Sequence, residues 1–359
     1  MTARGSAVRV FSIAMRTRFR GVTRREGVLL RGPAGWGEFS PFAEYGPAEA
    51  ARWLAAAREA AFEGWPEPLR DRVPVNVTVP AVDPERAFAM VRASGCRTAK
   101  VKVAERGQDD ADDMARVEAV RDALGPDGRV RVDVNGGWDV ERAVRMTRAL
   151  DRFDLEYVEQ PCATLEELAA VRLRVDVPVA ADESIRRAED PLRVKAAGAA
   201  DVAVLKVQPL GGVRAALRVA EATGLPVVVS SAVESSVGLA AGLALAAALP
   251  ELPFACGLGT LSLLAGDVVA DPLVPVDGVV AVRRPVVDEA ALAAVEAGPD
   301  VAAAWRERLG EAEKVLMAAG DGAAGYLGAL PGSAAGSVAV SAAEAGVRAA
   351  EAAREGDVR

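Results

Sequence analysis

The sequence contains no histidine among its 359 residues. Histidine is the most common general base in enzymes and the most common zinc ligand, and it completes the Ser-His and Cys-His pairs of many nucleophilic enzymes. All of these arrangements are therefore excluded. Any acid–base chemistry has to come from lysine, aspartate, glutamate, tyrosine or cysteine.

Several other features are scarce. The three cysteines, Cys96, Cys162 and Cys256, lie in apolar segments, so we expect buried thiols and no disulfide framework. No run reaches the ~18 apolar residues of a membrane span, and the N-terminal segment lacks the apolar core of a signal peptide. The net charge is −8 and the arginines are scattered, which argues against nucleic acid as a partner. We predict a cytoplasmic protein that binds neither membrane nor nucleic acid; the oligomeric state is not predicted.

The length suits a barrel of ~250 residues together with a smaller domain. Residues 1–72 combine strand-like runs, a Gly/Pro-punctuated segment at 36–42 and an Ala-rich helix at about 47–62, which predicts an α+β capping domain. We expect residues 272–326 to complete this domain and residues 73–271 to form the barrel. Residues 331–359 are rich in Ala, Gly and Ser and are predicted to be a low-complexity tail without chemistry.

From residue 73 onward, strand-like runs alternate with amphipathic helical stretches. This alternation predicts an α/β protein with a parallel (β/α)7β barrel, because the last strand lacks a long helix directly after it. A doubly wound open sheet is the alternative, but no GxGxxG motif opens a first βα unit. The predicted strands are residues 73–79, 98–103, 129–134, 155–159, 177–181, 201–207, 226–230 and 253–257.

Three acidic residues stand at the ends of consecutive predicted strands: Asp133 in RVRVDVNGGW, Glu159 in LEYVEQP and Asp182 in VPVAADES. The gaps are 26 residues (159 minus 133) and 23 residues (182 minus 159), close to the ~30 residues or fewer of a strand with its crossover helix. Parallel strands would bring these carboxylates side by side. Three such carboxylates repel one another unless a hard cation neutralises them, and oxygen ligands suit Mg²⁺ or Mn²⁺.

Polar groups end the other barrel strands as well. Lys100 and Lys102 share one face of the second strand, and Lys206 ends the sixth. A lysine near a divalent cation and a second ammonium has a lowered pKa and can act as a base, so metal and lysine depend on each other chemically. The predicted substrate contacts, which lie at or near strand ends, are Lys100, Asn135, Ser230, Ser231 and Gly257.

Each of these groups alone has a simpler interpretation. A Lys-x-Lys pair is usually a solvated strand edge, and Asp182, Ser230 or Ser231 can cap the helix that follows. Glu183 and Glu234 can be structural or can support the site. The combination of such groups on five consecutive strands favours a common site.

The motifs KVK, DVN, EQP, ADES and LKVQPLGG resemble the enolase superfamily over roughly residues 5–325. The resemblance implies that Asp133, Glu159 and Asp182 bind Mg²⁺, that Lys102 is the acid/base and that Lys206 is the second lysine. It also implies proton abstraction next to a carboxylate through an enediolate intermediate. Two lysines are the pattern of the muconate-cycloisomerase-like subgroup, and branches with a histidine base are excluded.

Within this subgroup, the segments GWGEFSPFAEY and SSAVESSVGLAAGLALAAALPELPFACGLGTL are similar to one branch of carbon–oxygen lyases. That branch dehydrates 2-succinyl-6-hydroxy-2,4-cyclohexadiene-1-carboxylate to o-succinylbenzoate in menaquinone biosynthesis. The resemblance implies the same small carboxylate substrate here, with cap residues 16–21 and 39–45 closing over it. The branch often has Asp where Gly259 stands, so this chain departs from the pattern there.

Other activities remain open. Dipeptide epimerases carry Asp-x-Asp at the eighth strand, whereas this chain has Gly257-Leu258-Gly259-Thr260. An N-acylamino acid racemase, with two opposed lysines as bases, is the nearest alternative, and a muconate-type cycloisomerase is another. A non-catalytic barrel that binds an acidic metabolite would have lost a metal ligand or a lysine, yet all five are present.

Overall fold

The computed structural model describes residues 8–19, 21–186 and 192–318, and its first elements form an antiparallel sheet in the order β1-β2-β3. These strands are β1 (Val8–Phe19), β2 (Val22–Gly32) and β3 (Gly35–Phe39). Successive side chains of a strand point to opposite faces. Leu29 accordingly packs in the core shared with the barrel, while Val28 and Leu30 pack in a second core. The sheet is therefore buried on both faces.

Strand β3 differs from the sequence prediction, which has a punctuated segment at residues 36–42. Gly37 explains the difference, because a Cβ atom there would lie 2.0 Å from the backbone oxygen of Ala57 on helix α1 (Pro47–Arg58). The glycine permits close packing of strand on helix and does not mark a turn. Helix α1 continues as a π-helical segment, Glu59–Glu63, so the helix predicted at 47–62 is present with a changed last turn.

Two helices that follow the barrel in sequence return to this first sheet. They are α11 (Glu289–Ala294) and α12 (Pro299–Ala318). The indole of Trp305 meets the ring of Phe39 edge-on at 6.1 Å between centroids, and the backbone of Ser12 donates to Val295 at 2.8 Å. The first sheet is thus covered by segments from both ends of the described chain.

Seven parallel strands form the barrel wall, and each is hydrogen-bonded to the next in chain order. Parallel bridges from Cys256 to Val75 and from Gly257 to Ser230 close the ring at the eighth position. The predicted (β/α)7β barrel with an N-terminal α+β cap is confirmed. The strands are β5 (Val77–Val79), β6 (Thr98–Lys102), β7 (Arg129–Asp133), β8 (Leu155–Glu159), β9 (Val179–Ala181), β10 (Val202–Leu205) and β11 (Val227–Val229).

The helices between the strands begin where the sequence provides capping side chains. Asp83, Asp109, Asp139, Thr164 and Ser235 each accept a bond from a backbone amide in the first turn. Within the described ranges, no helix combines the length and hydropathy needed to cross a bilayer. The barrel helices are α2 (Pro84–Ser94), α3 (Asp110–Leu124), α4 (Val140–Leu150), α5 (Leu165–Arg172), α6 (Glu183–Arg186), α7 (Leu192–Ala196), α8 (Val207–Leu210), α9 (Val213–Thr223) and α10 (Ser236–Ala248), with 3₁₀ turns at Asp151–Phe153 and Thr260–Leu263.

The ends of the barrel differ from the predicted strands. The run 73–79 changes partner along its length: β4 (Arg72–Pro74) pairs antiparallel with β12 (Val279–Ala281), Val75 bridges Cys256, and β5 pairs with β6 of the barrel. At the predicted eighth strand, bridges form at Cys256 and Gly257. The domain boundaries proposed from sequence remain a prediction. The predicted tail, 331–359, and residues 319–326 lie outside the described residues.

Candidate active site

Strand alternation brings two lysines into the barrel interior. On β6, Ala99 and Val101 pack in the main hydrophobic core, so Lys100 and Lys102 face the opposite way. Both are about 95 % buried, with 5 % and 6 % exposure. The strand register sets Lys102 beside Asp133 of β7, and Asp133 beside Glu159 of β8. Backbone pairing alone therefore brings these three side chains together.

The lysines are bonded directly to the carboxylates. Lys100 Nζ lies 2.8 Å and 3.0 Å from the two Glu159 oxygens and 3.2 Å from Asp133 Oδ2. Lys102 Nζ donates to Asp133 Oδ2 and to Asn135 Oδ1, the latter at 2.6 Å. Each buried charge at this edge of the barrel thus has a partner of opposite sign.

Asp182 and Lys206 form the next part of the same cluster. Asp182 follows β9, Lys206 follows β10, and Lys206 Nζ donates to Asp182 Oδ2 at 2.5 Å. Arg186 Nε lies 3.5 Å from Asp182 Oδ1, an oxygen that is buried and accepts no hydrogen bond. Burial opposes the charged form of Asp182, but the neighbouring Arg186 and Lys206 charges hold its pKa well below the usual range.

The carboxylates also influence one another. Burial and the nearby negative charge of Asp133 raise the pKa of Glu159 to about 7, although Lys100 opposes this shift. Burial works against the charged form of Asp133 too, but Lys102 and Lys100 lower its pKa well below the ordinary value. The acidic side chains are therefore crowded enough that added positive charge would stabilise them.

These residues fit a hard divalent cation by their chemistry. All three carboxylates offer oxygen, as Mg²⁺ and Mn²⁺ require, and Asp182 Oδ1 has no hydrogen bond to lose. In residues 8–19, 21–186 and 192–318, however, no group of three or more acidic, cysteine or histidine side chains is arranged as a ligand cage. The contacts of Lys100 with Glu159 and Asp133 explain this, because an ammonium group lies where the carboxylates converge.

A pocket opens above this cluster at the carboxyl ends of the strands. Asp133 lines it directly, whereas Glu159 and Asp182 are each bonded to a lysine that lines it. Four of the five predicted substrate contacts are in its wall: Lys100, Ser230, Ser231 and Gly257. The complete lining is Phe19, Phe42, Thr78, Lys100, Lys102, Asp133, Lys206, Ser230, Ser231, Ala232, Val233, Gly257 and Thr260.

Asn135, the fifth predicted contact, is placed differently. Its side chain accepts from Lys102 Nζ and donates to Glu183 Oε1 at 3.2 Å. Asn135 has φ +51°, a left-handed conformation that asparagine tolerates. Its observed contacts orient Lys102, and the predicted contact with substrate remains a prediction.

Ser230 and Ser231 do not cap the next helix. Helix α10 is capped by Ser235, which accepts from the backbone of Val237. Ser231 Oγ instead lies 2.6 Å from Thr260 Oγ1. A Cβ atom at Gly257 would lie 2.6 Å from Ser230 Oγ, so glycine there leaves room for that hydroxyl.

Some lining residues were missed by sequence reasoning. Thr78 pairs in register with Lys100 and faces the same pocket, so alternation within the VTV run contained a usable signal. Phe19 and Phe42 come from the two cap segments expected to cover the site, and the ring of Phe19 lies 5.3 Å from Lys102 Nζ. Gln160 does not line the pocket, but it was also missed. Its Oε1 accepts from the backbone amide of Asp182 at 3.0 Å and so holds the end of the next strand in place.

Family models match both parts of this architecture. An "Enolase N-terminal domain-like" model matches residues 10–61, and an "Enolase C-terminal domain-like" model matches residues 84–286. The cap, the barrel and the buried lysine–carboxylate cluster define an enzyme of the enolase superfamily, and this chain belongs to it.

Sequence relatives narrow the family further. A protein of Thermobifida fusca (strain YX) named o-succinylbenzoate synthase is 73 % identical over 304 residues, which cover 85 % of this chain and 95 % of that protein. A protein of the same name from Mycolicibacterium smegmatis is 60 % identical over 298 residues, covering 82 % and 91 %. The chain therefore belongs to the o-succinylbenzoate synthase family and is a carbon–oxygen lyase.

Solved structures share the fold at lower identity. Muconate lactonizing enzyme from Pseudomonas fluorescens, complexed with muconolactone, aligns with a TM-score of 0.71 at 23 % identity, over 82 % of this chain and 98 % of that one. Dipeptide epimerase from Enterococcus faecalis V583, complexed with Mg and a dipeptide, aligns with a TM-score of 0.67 at 22 % identity, over 80 % and 98 %. At these identities the likeness establishes the fold alone.

Proposed function

We propose that this chain dehydrates 2-succinyl-6-hydroxy-2,4-cyclohexadiene-1-carboxylate to o-succinylbenzoate, in the cytoplasm, as a step of menaquinone biosynthesis. One observation carries the proposal: Lys102 and Lys206 both line a pocket with Asp133, in a chain 73 % identical to a protein named o-succinylbenzoate synthase. The substrate is a small carboxylate.

Lys102 is the acid and base of the proposed reaction. In its neutral form it accepts the proton from the ring carbon that bears the carboxylate. The resulting ammonium then donates a proton to the departing hydroxyl on the same face, so that one water is lost and the ring becomes aromatic. Lys206 stays protonated and offsets the negative charge that develops on the ring. Asn135 and Asp133 orient Lys102 through their hydrogen bonds.

We also propose that Asp133, Glu159 and Asp182 hold Mg²⁺, or Mn²⁺ in its place. When bound, the ion supplies positive charge that stabilises negative charge developing on the substrate carboxylate. The oxygen-only ligands and the unbonded Asp182 Oδ1 support this assignment. Lys100 would help to neutralise the remaining carboxylate charge.

Removal of either pocket lysine should strongly reduce turnover while the fold is kept. We expect Lys102→Ala and Lys206→Ala each to lower kcat by about 10²- to 10⁴-fold, the usual contribution of a positioned acid–base or charge-stabilising group. Steady-state assay of the dehydration, with circular dichroism to verify folding, measures this. Lys314→Ala, an exposed lysine on α12, is the matched control. An active Lys102→Ala protein would refute its role.

Metal binding should be visible without any substrate. Because the proposed site needs the folded carboxylate cluster, Mg²⁺ at 100 times its Kd should stabilise the protein by about 2.7 kcal/mol and raise Tm. Mn²⁺ titration followed by electron paramagnetic resonance counts the sites. We expect one site in the wild type and loss of binding in Asp182→Asn, while Asp271→Asn, an exposed control, keeps it. An absence of saturable binding in the wild type contradicts the metal proposal.

An N-acylamino acid racemase is the second candidate, because Lys102 and Lys206 both reach the same pocket and two bases are what racemisation needs. Purified protein with Mg²⁺ should be assayed in parallel with the cyclohexadiene carboxylate and with N-succinylamino acids. We expect the larger kcat/KM for dehydration. A much larger kcat/KM for racemisation overturns the main proposal in favour of this alternative.

A further inference from the structure

Arg25 of the cap contacts two walls of the pocket at once. Its side chain is on β2 and only 4 % exposed. Nε donates to the backbone oxygen of Val233 at 3.0 Å, and the guanidinium lies over the ring of Phe42, 4.6 Å from its centroid. Val233 and Phe42 both line the pocket, whereas Arg25 does not. One cap residue therefore joins a cap wall to a barrel wall.

The barrel residue that Arg25 contacts, Val233, has a strained backbone conformation. Val233 has φ +62°, a left-handed backbone conformation that β-branched residues rarely adopt and that is strained for them. Its neighbours restrain it from the barrel side. Ser231 Oγ accepts from the Val233 amide at 3.1 Å, and both Glu234 oxygens accept from the Ala232 amide at 2.9 Å. Arg25 supplies a restraint from the cap side.

The surroundings of Arg25 require an arginine at this position. Two buried acidic side chains, Glu38 and Glu234 at 3 % and 1 % exposure, act electrostatically on the Arg25 guanidinium. Its Nη2 donates to Ser40 O at 2.8 Å and to Ser40 Oγ at 3.1 Å. The planar guanidinium makes these bonds and the ring contact together, which a lysine cannot reproduce.

We propose that Arg25 is a positioning residue that fixes Val233 and Phe42 and thereby sets the shape of the substrate pocket. It acts on how tightly the substrate is held, and the proton transfer itself remains with the lysines. The substrate part rests on the proposed function, whereas the restraint on segment 230–236 is a property of the free protein.

The restraint can be measured without substrate. In Arg25→Lys, hydrogen–deuterium exchange of the amides in segment 230–236 should be faster by about tenfold, since bonds to a charged group are lost. Exchange outside this segment and the cap segment 39–45, which Arg25 also contacts, should stay unchanged. Arg24→Lys is the matched control, because Arg24 is on the same strand but bonds to Ser12 away from the pocket. Unchanged exchange at 230–236 in Arg25→Lys overturns the proposal.

Kinetics distinguish positioning from chemistry. For Arg25→Lys we expect KM for the cyclohexadiene carboxylate to rise by about tenfold while kcat changes little, which is the signature of lost uniform binding. A fall in kcat with unchanged KM overturns the proposal. If the wild type does not dehydrate this substrate, the proposed function fails, and the exchange experiment still decides the role of Arg25.

A second variant covers the case in which Arg25→Lys does not fold. Val233→Gly keeps every buried charge, and glycine takes φ +62° without strain while gaining access to other conformations. Exchange at 230–236 and KM should both rise, as in Arg25→Lys. If neither changes, the conformation held by Arg25 is not what the pocket needs, and the proposal is wrong.

Discussion

At the scale of single residues, several buried carboxyl groups have a raised pKa, from which we expect the stability of the protein to depend on pH. Glu38 is the clearest case outside the lysine cluster. Burial raises its pKa to about 7, although Ser235 and Ser40 donate to it and Arg25 is close. The negative charge of Glu234 adds to the effect. Protonated Glu38 is therefore favoured in the folded protein more than in the unfolded chain.

Glu38 should make the protein less stable as the pH rises. The folded pKa of about 7 is above the ordinary 4.5, so its contribution is complete below pH ~4.5 and is lost as the pH rises through ~7. The whole effect is roughly 3 kcal/mol. Glu38→Gln lacks this titration. From pH 5 to pH 8, the Tm of the wild type should therefore fall relative to the Tm of the variant. Thermal melts across this range test it.

The same comparison has an internal control. Thr17 is also a cap residue, and its hydroxyl, which does not titrate in this range, accepts from Arg86. Thr17→Val should keep the pH dependence of the wild type. If Glu38→Gln keeps it too, the pKa of Glu38 is not raised and the prediction is wrong.

At the scale of elements, the cap supplies the N-terminal cap of a barrel helix. Glu59, in the π-helical segment Glu59–Glu63, accepts from the backbone amides of Val213 at 2.5 Å and Arg214 at 3.1 Å, at the start of α9. A Cβ atom at Gly212 would lie 2.4 Å from the Glu59 carboxylate, so glycine is needed for this approach. A carboxylate here also compensates the positive end of the helix dipole.

Loss of this carboxylate should destabilise the protein. We expect Glu59→Ala to lower the free energy of unfolding by about 1–2 kcal/mol, because the helix start loses its cap. Urea denaturation measures the change. Glu63→Ala is the control, because Glu63 is exposed and its carboxylate comes no closer than 4.0 Å to the Arg214 guanidinium. Equal small effects in both variants would show that Glu59 contributes little to α9.

At the scale of the whole described molecule, cap and barrel share one hydrophobic core. Phe11, Ile13 and Leu29 of the first sheet belong to the same buried cluster as the barrel strands. The opposite face of that sheet packs with Trp53 and Trp305 in a second cluster. Neither part can be exposed without loss of apolar burial in the other, so the two should unfold together.

Calorimetry should therefore show one cooperative unfolding transition. Leu29→Ala, at a fully buried position in the shared core, should lower the free energy of unfolding by about 2–5 kcal/mol and move the whole transition to lower temperature. Leu69→Ala, at a 66 % exposed position, should leave it in place. A Leu29→Ala trace that separates into two transitions would contradict a shared core.

Much of the site could be predicted because strand periodicity is local. Lys100, Lys102, Asp133 and Glu159 follow from alternation and from the order of the strands, and the structure brings them together as expected. Asn135 shows the limit: its position after the strand was predictable, but its bonds to Lys102 and Glu183 depend on loop conformation. The cap wall formed by Phe19 and Phe42 was predictable only as a region.

The (β/α)7β barrel, the exclusion of histidine as a catalytic group, and the carboxylates and lysines at the strand ends could all be predicted from the sequence, because composition, periodicity and spacing are properties that the chain has before it folds. The pairing of these charges depends on the folded structure, in which Lys100 contacts both Glu159 and Asp133. The contact of Arg25 with Val233, 208 residues further along the chain, depends on it as well. Contacts of that kind depend on how cap and barrel pack, and no local pattern encodes them.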